Sequence, residues 1–140
     1  MAPPRWPYAG GPWRGAYYKR IDFSGPSTLR FDRNLNFDWE DKAPMDEIPA
    51  NRFSVRWDAC LAIDKATDVT FQLISDDGAK LYLEGAVIVD NWSAKAAQSR
   101  GTTVTLSPGL HHLRVEYFED KDNALVSLLA SFAGEPPPVI

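Results

Sequence analysis

The sequence predicts a single all-β domain, an antiparallel β-sandwich or barrel, and three observations carry that reading. Apolar and polar residues alternate with a period of two in run after run. The runs are short and bounded by Gly, Pro, Asp or Asn, and 11 of the 140 residues are proline.

Taken in order, "FSVRWDAC" sets Phe53, Val55 and Trp57 against Ser54, Arg56 and Asp58. "DVTFQLI" sets Val69, Phe71 and Leu73 against Thr70 and Gln72. "AKLYLEG" places Leu81 and Leu83 on one face, and "TTVTLS" does so with Val104 and Leu106. In "LHHLRVEYFE", Leu113, Val115 and Tyr117 oppose Arg114 and Glu116. "SPG" at 107–109 reads as a tight turn between two such strands. "SAKAAQS" (93–99) has helical propensity but no apolar face, and "ALVSLLASF" reads as a strand in the company of those before it. Cys60 closes an apolar run and is expected to be a buried, inert thiol.

A chain of 140 residues has room for one domain with a real core. Its net charge is −4 and no stretch gathers Lys and Arg, which argues against nucleic acid as a partner. One cysteine excludes an intramolecular disulfide. No apolar run approaches the roughly 20 residues of a membrane span. "MAPPRWPYAGG" lacks the apolar stretch of a signal peptide. Residues 1–12 and 133–140 are proline-rich and read as linkers flanking a domain at 13–132, part of a longer protein.

The stretch "SDDG" (75–78) raises the functional question. Successive side chains of a strand point to opposite faces, so Asp76 and Asp77 would not share a partner unless the backbone leaves strand geometry. "DDG" is good turn chemistry by itself, with Asp capping nearby N–H groups and Gly78 free of a Cβ. The pair could equally be aimed at a cation. Calcium takes 6–8 oxygen ligands, and two carboxylates supply the charge it needs. Both readings are open from the residues alone.

Seven separated pieces resemble the PA14 domain family, in order: "WRGAYY" (13–18), "FDW" (37–39), "FSVRW" (53–57), "SDDGAKLYLEG" (75–85), "VIVDNW" (87–92), "SPGLHHLRVEYFE" (107–119) and "ALVSLLAS" (124–131). The resemblance covers about residues 13–132 and implies a sandwich-like module appended to glycosidases, toxins and adhesins. Its best-understood activity is carbohydrate binding. In the yeast adhesin branch, two adjacent aspartates joined by a cis peptide hold calcium, which holds sugar hydroxyls; Asp76 and Asp77 match that pair. The remaining ligands there come from the loop after a "VxY" strand, which here is "EDKDN" (119–123). The resemblance thus implies Glu119, Asp122 and Asn123 as further metal ligands, and Asp120 and Trp92 beside the ligand. Departures lie at Asp58 and Ala59, where many members carry glycine, and in "SAKAAQSRG", which often carries glycine and histidine.

The loop 119–123 is not an EF-hand, since "NALVSLLA" lacks the required glycine and glutamate. Trp39, Trp57 and Trp92 sit where core packing or sugar stacking would use them, and Trp6 and Trp13 are open. His111 and His112 are adjacent and face opposite ways, so they cannot form a two-histidine site. "NWS" (91–93) fits a glycosylation sequon, but Asn91 belongs to the matched "DNW" and reads as structural. No pair of carboxyls is placed for glycoside cleavage and no nucleophile constellation is present, so no enzyme activity is expected. The expected function is a calcium-dependent carbohydrate-binding module of an exported or surface-facing bacterial protein. It would be monomeric in isolation, with a glycan as partner. The alternative is a structural or protein-interaction module in which "DDG" is a turn.

Overall fold

The period-two runs lie within ten strands in the computed structural model, which describes residues 13–93 and 97–133. They are β1 (Trp13–Tyr18), β2 (Ser27–Asp32), β3 (Asn36–Glu40), β4 (Phe53–Ile63), β5 (Thr67–Asp76), β6 (Gly78–Leu83), β7 (Ala86–Asn91), β8 (Gln98–Leu106), β9 (Gly109–Glu119) and β10 (Ala124–Phe132). Six form one antiparallel sheet in the order β2-β1-β4-β9-β6-β7, and four form the other in the order β3-β10-β5-β8. The all-β expectation holds, and "ALVSLLASF" is strand β10. Both linker segments fall outside the described residues, apart from Ala133. So do residues 94–96 of "SAKAAQS", whose Gln98 already opens β8. Among the described residues no helix is long and apolar enough to cross a membrane.

The inward series of both sheets are the ones alternation marks. Val55, Trp57, Leu81, Leu113, Val115 and Tyr117 from the larger sheet meet Val69, Phe71, Leu73, Val126 and Leu128 from the smaller, all fully buried. Trp13, open from sequence, is also fully buried in this core. Burying such a side chain contributes roughly 1.5–3 kcal/mol each, which explains why two thin sheets hold together. The inward odd series of β4 runs through Ala59 and Leu61. Cys60 therefore turns outward, half-buried opposite His112. The expectation of a buried thiol fails for that reason.

Three turn segments join strands of different sheets rather than neighbours in one. "SDDG", "SPG" and the loop after Glu119 each carry the chain from one sheet to the other. A strand with one buried face reads the same whether its successor pairs beside it or crosses the core, so alternation could not decide. The loop at Glu84–Gly85, with φ of 50° and 82°, does close a hairpin, between β6 and β7. Consecutive positive φ values suit the right-handed twist of paired strands.

Several polar groups that the folding buries are paired. Asp32, 6% exposed, accepts from Tyr17 Oη (2.6 Å), Trp57 Nε1 (2.8 Å) and Arg30 Nε (2.7 Å). On the outer face of the larger sheet, Asp58 holds Arg114 at 2.7 Å and meets His112 at 2.9 Å, which gives this residue a structural use. Asn91, 3% exposed, donates to Ser75 Oγ (2.9 Å) and to the Gln98 carbonyl (3.0 Å), in keeping with its structural reading.

Candidate metal-binding site

Register brings two sheet-to-sheet corners together at one end of the sandwich. Phe118 of β9 lies opposite Gly78 of β6, and Glu119 lies opposite Phe53. The end of β5 and the end of β9 therefore meet, although 43 positions separate their corners in sequence. Asp77, 6% exposed, accepts the backbone N–H of Asp120 at 2.7 Å and of Lys121 at 3.4 Å. Tyr117 Oη donates to the Asp76 carbonyl at 2.6 Å. The Asp76–Asp77 peptide is cis.

Asp76, Asp77 and Glu119 each direct one carboxylate oxygen into this corner, all within 4.8 Å of one another. Glu119 is fully buried. Its Oε1 has a long 3.5 Å contact from Tyr117 Oη, and its Oε2 has no hydrogen-bond partner among the described residues. Burial, reinforced by Asp77 and Asp76, pushes the Glu119 carboxyl up to about 9. Burial, then Asp77 and Asp122, pushes Asp76 up to about 6. Tyr117 is held well above the ordinary phenol range by burial and by the neighbouring acids. Three acids crowded this way disfavour one another's charge, and a divalent cation among them would reverse each of these pressures.

Gly78 follows the two aspartates for a steric reason. A Cβ there would stand 2.2 Å from Cε1 of Phe118, well inside contact distance. Gly78→Ala is expected to push the Phe118 ring aside and destabilise the fold by about 1–3 kcal/mol, read by urea unfolding. Stability equal to wild type would show that the ring yields freely.

The remaining residues of the expected site are placed unequally. Asn123 and Asp76 line a cleft of about 480 Å³ together with Asp38, Glu40 and Asp41. Asp122 is exposed, has a φ of 70°, and is near enough to Asp76 to raise it. Asp120 contributes its N–H to Asp77, while its carboxylate turns away to Arg52 at 3.8 Å. Trp92 packs among aromatic neighbours. Phe23 stacks on it at 6.2 Å, Phe118 tilts against it at 4.6 Å, and Lys80 Nζ lies 5.1 Å from its ring centre. The indole keeps 37% of its surface exposed beside these neighbours. Trp39 and Trp57 pack in and against the core. His111 and His112 make separate contacts, with Glu84 and Asp58 respectively, each at 2.9 Å. The acids Asp38, Glu40 and Asp41 were not anticipated, and their one signal is the density of carboxylates in "FDWED".

Comparison with known proteins agrees with this architecture. The chain is 28% identical over 132 residues to the anti-sigma-I factor RsgI3 of Acetivibrio thermocellus, an alignment covering 94% of this chain. It spans only 20% of that relative's length. A solved anti-sigma factor domain-containing protein from Clostridium clariflavum superposes with a TM-score of 0.85 at 27% identity, over 92% of this chain and 44% of that one. The PA14 sugar-binding domain from an RTX adhesin superposes with a TM-score of 0.76 at 16% identity, over 94% of this chain and 96% of that one, which speaks for the fold alone. The family model of the PA14 domain matches residues 11–134. Two antiparallel sheets and a family-model match over nearly the whole chain lead to one conclusion: the chain belongs to the PA14 domain family.

Proposed function

We propose that this domain is a calcium-dependent carbohydrate-binding module of a larger, exported or surface-facing bacterial protein, with no catalysis of its own. The observation that carries the reading is the convergence of Asp76, Asp77 and Glu119, with the buried Glu119 Oε2 left without a partner. An orphaned buried carboxylate oxygen costs about 1–3 kcal/mol or more, and a cation would satisfy it. The donor set fits calcium, a hard ion that prefers oxygen. Asp76, Asp77 and Glu119 would hold it, with Asn123 and Asp122 near enough on the flanking loop to contribute. Calcium bound there would supply open coordination positions for a sugar's vicinal hydroxyls. The cleft beside Asp76 gives such a ring space.

A glycan array probed with calcium and again with chelator tests this reading. Binding is expected in calcium alone and at millimolar affinity, about −4 kcal/mol per site. Binding that survives chelation would remove the ion from the account. A second reading, a structural module with "DDG" as a turn, has one observation in its favour: the N–H groups of Asp120 and Lys121 already satisfy Asp77. An array blank in both conditions would select it.

A further inference from the structure

A second cleft borders the same corner at Asp120, and three cations and two acids line it. It measures about 510 Å³ and is lined by Lys19, Arg20, Ile21, Asp22, Arg52 and Asp120. The other arginines with ion pairs are committed at short range: Arg30 to Asp32, Arg56 to Glu116 and Arg114 to Asp58, each at 2.7 Å. In this cleft Arg52 is only loosely paired, 3.8 Å from Asp120 with its side chain 83% exposed. Neither Lys19 nor Arg20 forms an ion pair among the described residues. Asp22 is occupied by its own neighbour, accepting from Ser24 Oγ at 2.5 Å. On a chain of net charge −4, three cations sharing one cleft are unusual.

The lining of the cleft is held by hydrogen bonds. Ser54 Oγ accepts the Phe23 N–H at 3.1 Å and donates to the Arg20 carbonyl, which pins the loop after β1 to β4. Asp120, in the same lining, gives its N–H to Asp77 and so links the cleft to the corner.

We infer that this cleft is an anion subsite and that the saccharide taken by the domain is acidic, a uronic-acid glycan. The inference rests on the carbohydrate reading above and specifies its substrate class. A uronic-acid glycan offers hydroxyls for an ion and carboxylates for Arg52 and Arg20. Guanidinium groups suit these carboxylates because they donate in parallel pairs.

The test compares a uronic-acid trisaccharide with its methyl ester, which keeps the rings and removes the charge. Both are titrated by NMR in 5 mM calcium at low salt, and again in chelator. Calcium association of the free sugar is measured separately. The acid is expected to bind roughly fivefold more tightly than the ester, as suits exposed charge pairs, and to lose that margin in high salt. Arg52→Gln and Arg20→Gln should each shrink the margin, whereas Arg33→Gln, an exposed arginine in the turn after β2, should not. Equal, calcium-dependent binding of acid and ester would overturn the anion subsite and leave the lectin reading standing. A margin lost as fully in Arg33→Gln would also overturn it, by assigning the effect to bulk charge. Binding of the acid in chelator that depends on Arg52 would uphold the subsite and remove the calcium. No binding of either sugar in either condition would overturn both readings.

Discussion

Calcium at 5–10 mM is expected to raise the melting temperature of the wild-type domain by roughly 5 °C over chelator, and Asp77→Asn to abolish the rise. Extracellular calcium modules have dissociation constants of about 10⁻⁴–10⁻³ M. An excess of about tenfold over the weaker limit stabilises by about 1.4 kcal/mol through linkage, which yields that shift in a domain of this size. Asp77 is the informative position because its amide variant keeps an oxygen for the Asp120 and Lys121 N–H groups. The fold should survive while the charge is lost. Asp76→Asn should act in the same direction. Wild type melting identically in calcium and chelator would remove the metal site and the calcium-dependent lectin reading with it.

Without calcium, the domain should lose stability as pH rises from 5 to 9. The sign follows from Glu119 and Asp76, whose folded-state carboxyls are raised to about 9 and about 6 by burial and by their neighbours. A raised acid holds its proton in the folded state and releases it in the unfolded one. Its contribution is therefore fully present below the ordinary carboxyl range, near pH 4, and is lost progressively up to the folded value. The slope approaches at most about 1.4 kcal/mol per pH unit for one group. Glu119→Gln, uncharged throughout, should flatten the profile of melting temperature against pH. Calcium should flatten it too, by stabilising the charged forms. An apo profile that rises over this range, or one unchanged by Glu119→Gln, would show that Glu119 is ionised in the native corner.

Most of the fold was legible because its strands obey alternation, and the exceptions have physical causes. β2 escaped notice because its pattern is inverted. Leu29 and Phe31 face solvent at 54% and 53% exposure, while Arg30 and Asp32 turn inward to Tyr17 and Trp57. A buried polar network leaves no periodic apolar signal. The acids of the corner could be named from the residues and the family likeness, but not their environment. Glu119 reads from sequence as the first residue of a loop, yet it ends β9 on the inward side and is fully buried. Two corners far apart in sequence supply that burial, which local pattern does not encode. The two clefts were invisible for the same reason.

Apart from β1–β2 and β6–β7, every connection between consecutive described strands crosses from one sheet to the other. The chain must thus close long loops before its contacts reward it, which places folding among slow, topologically complex β domains, on a scale of milliseconds to seconds. The acid corner exists only after β5, β6, β9 and β10 have all docked. An ion bound there stabilises the finished structure rather than its nucleus, so it would leave the refolding rate nearly unchanged and slow unfolding. Were the module exposed to proteases, the gain would be lifetime.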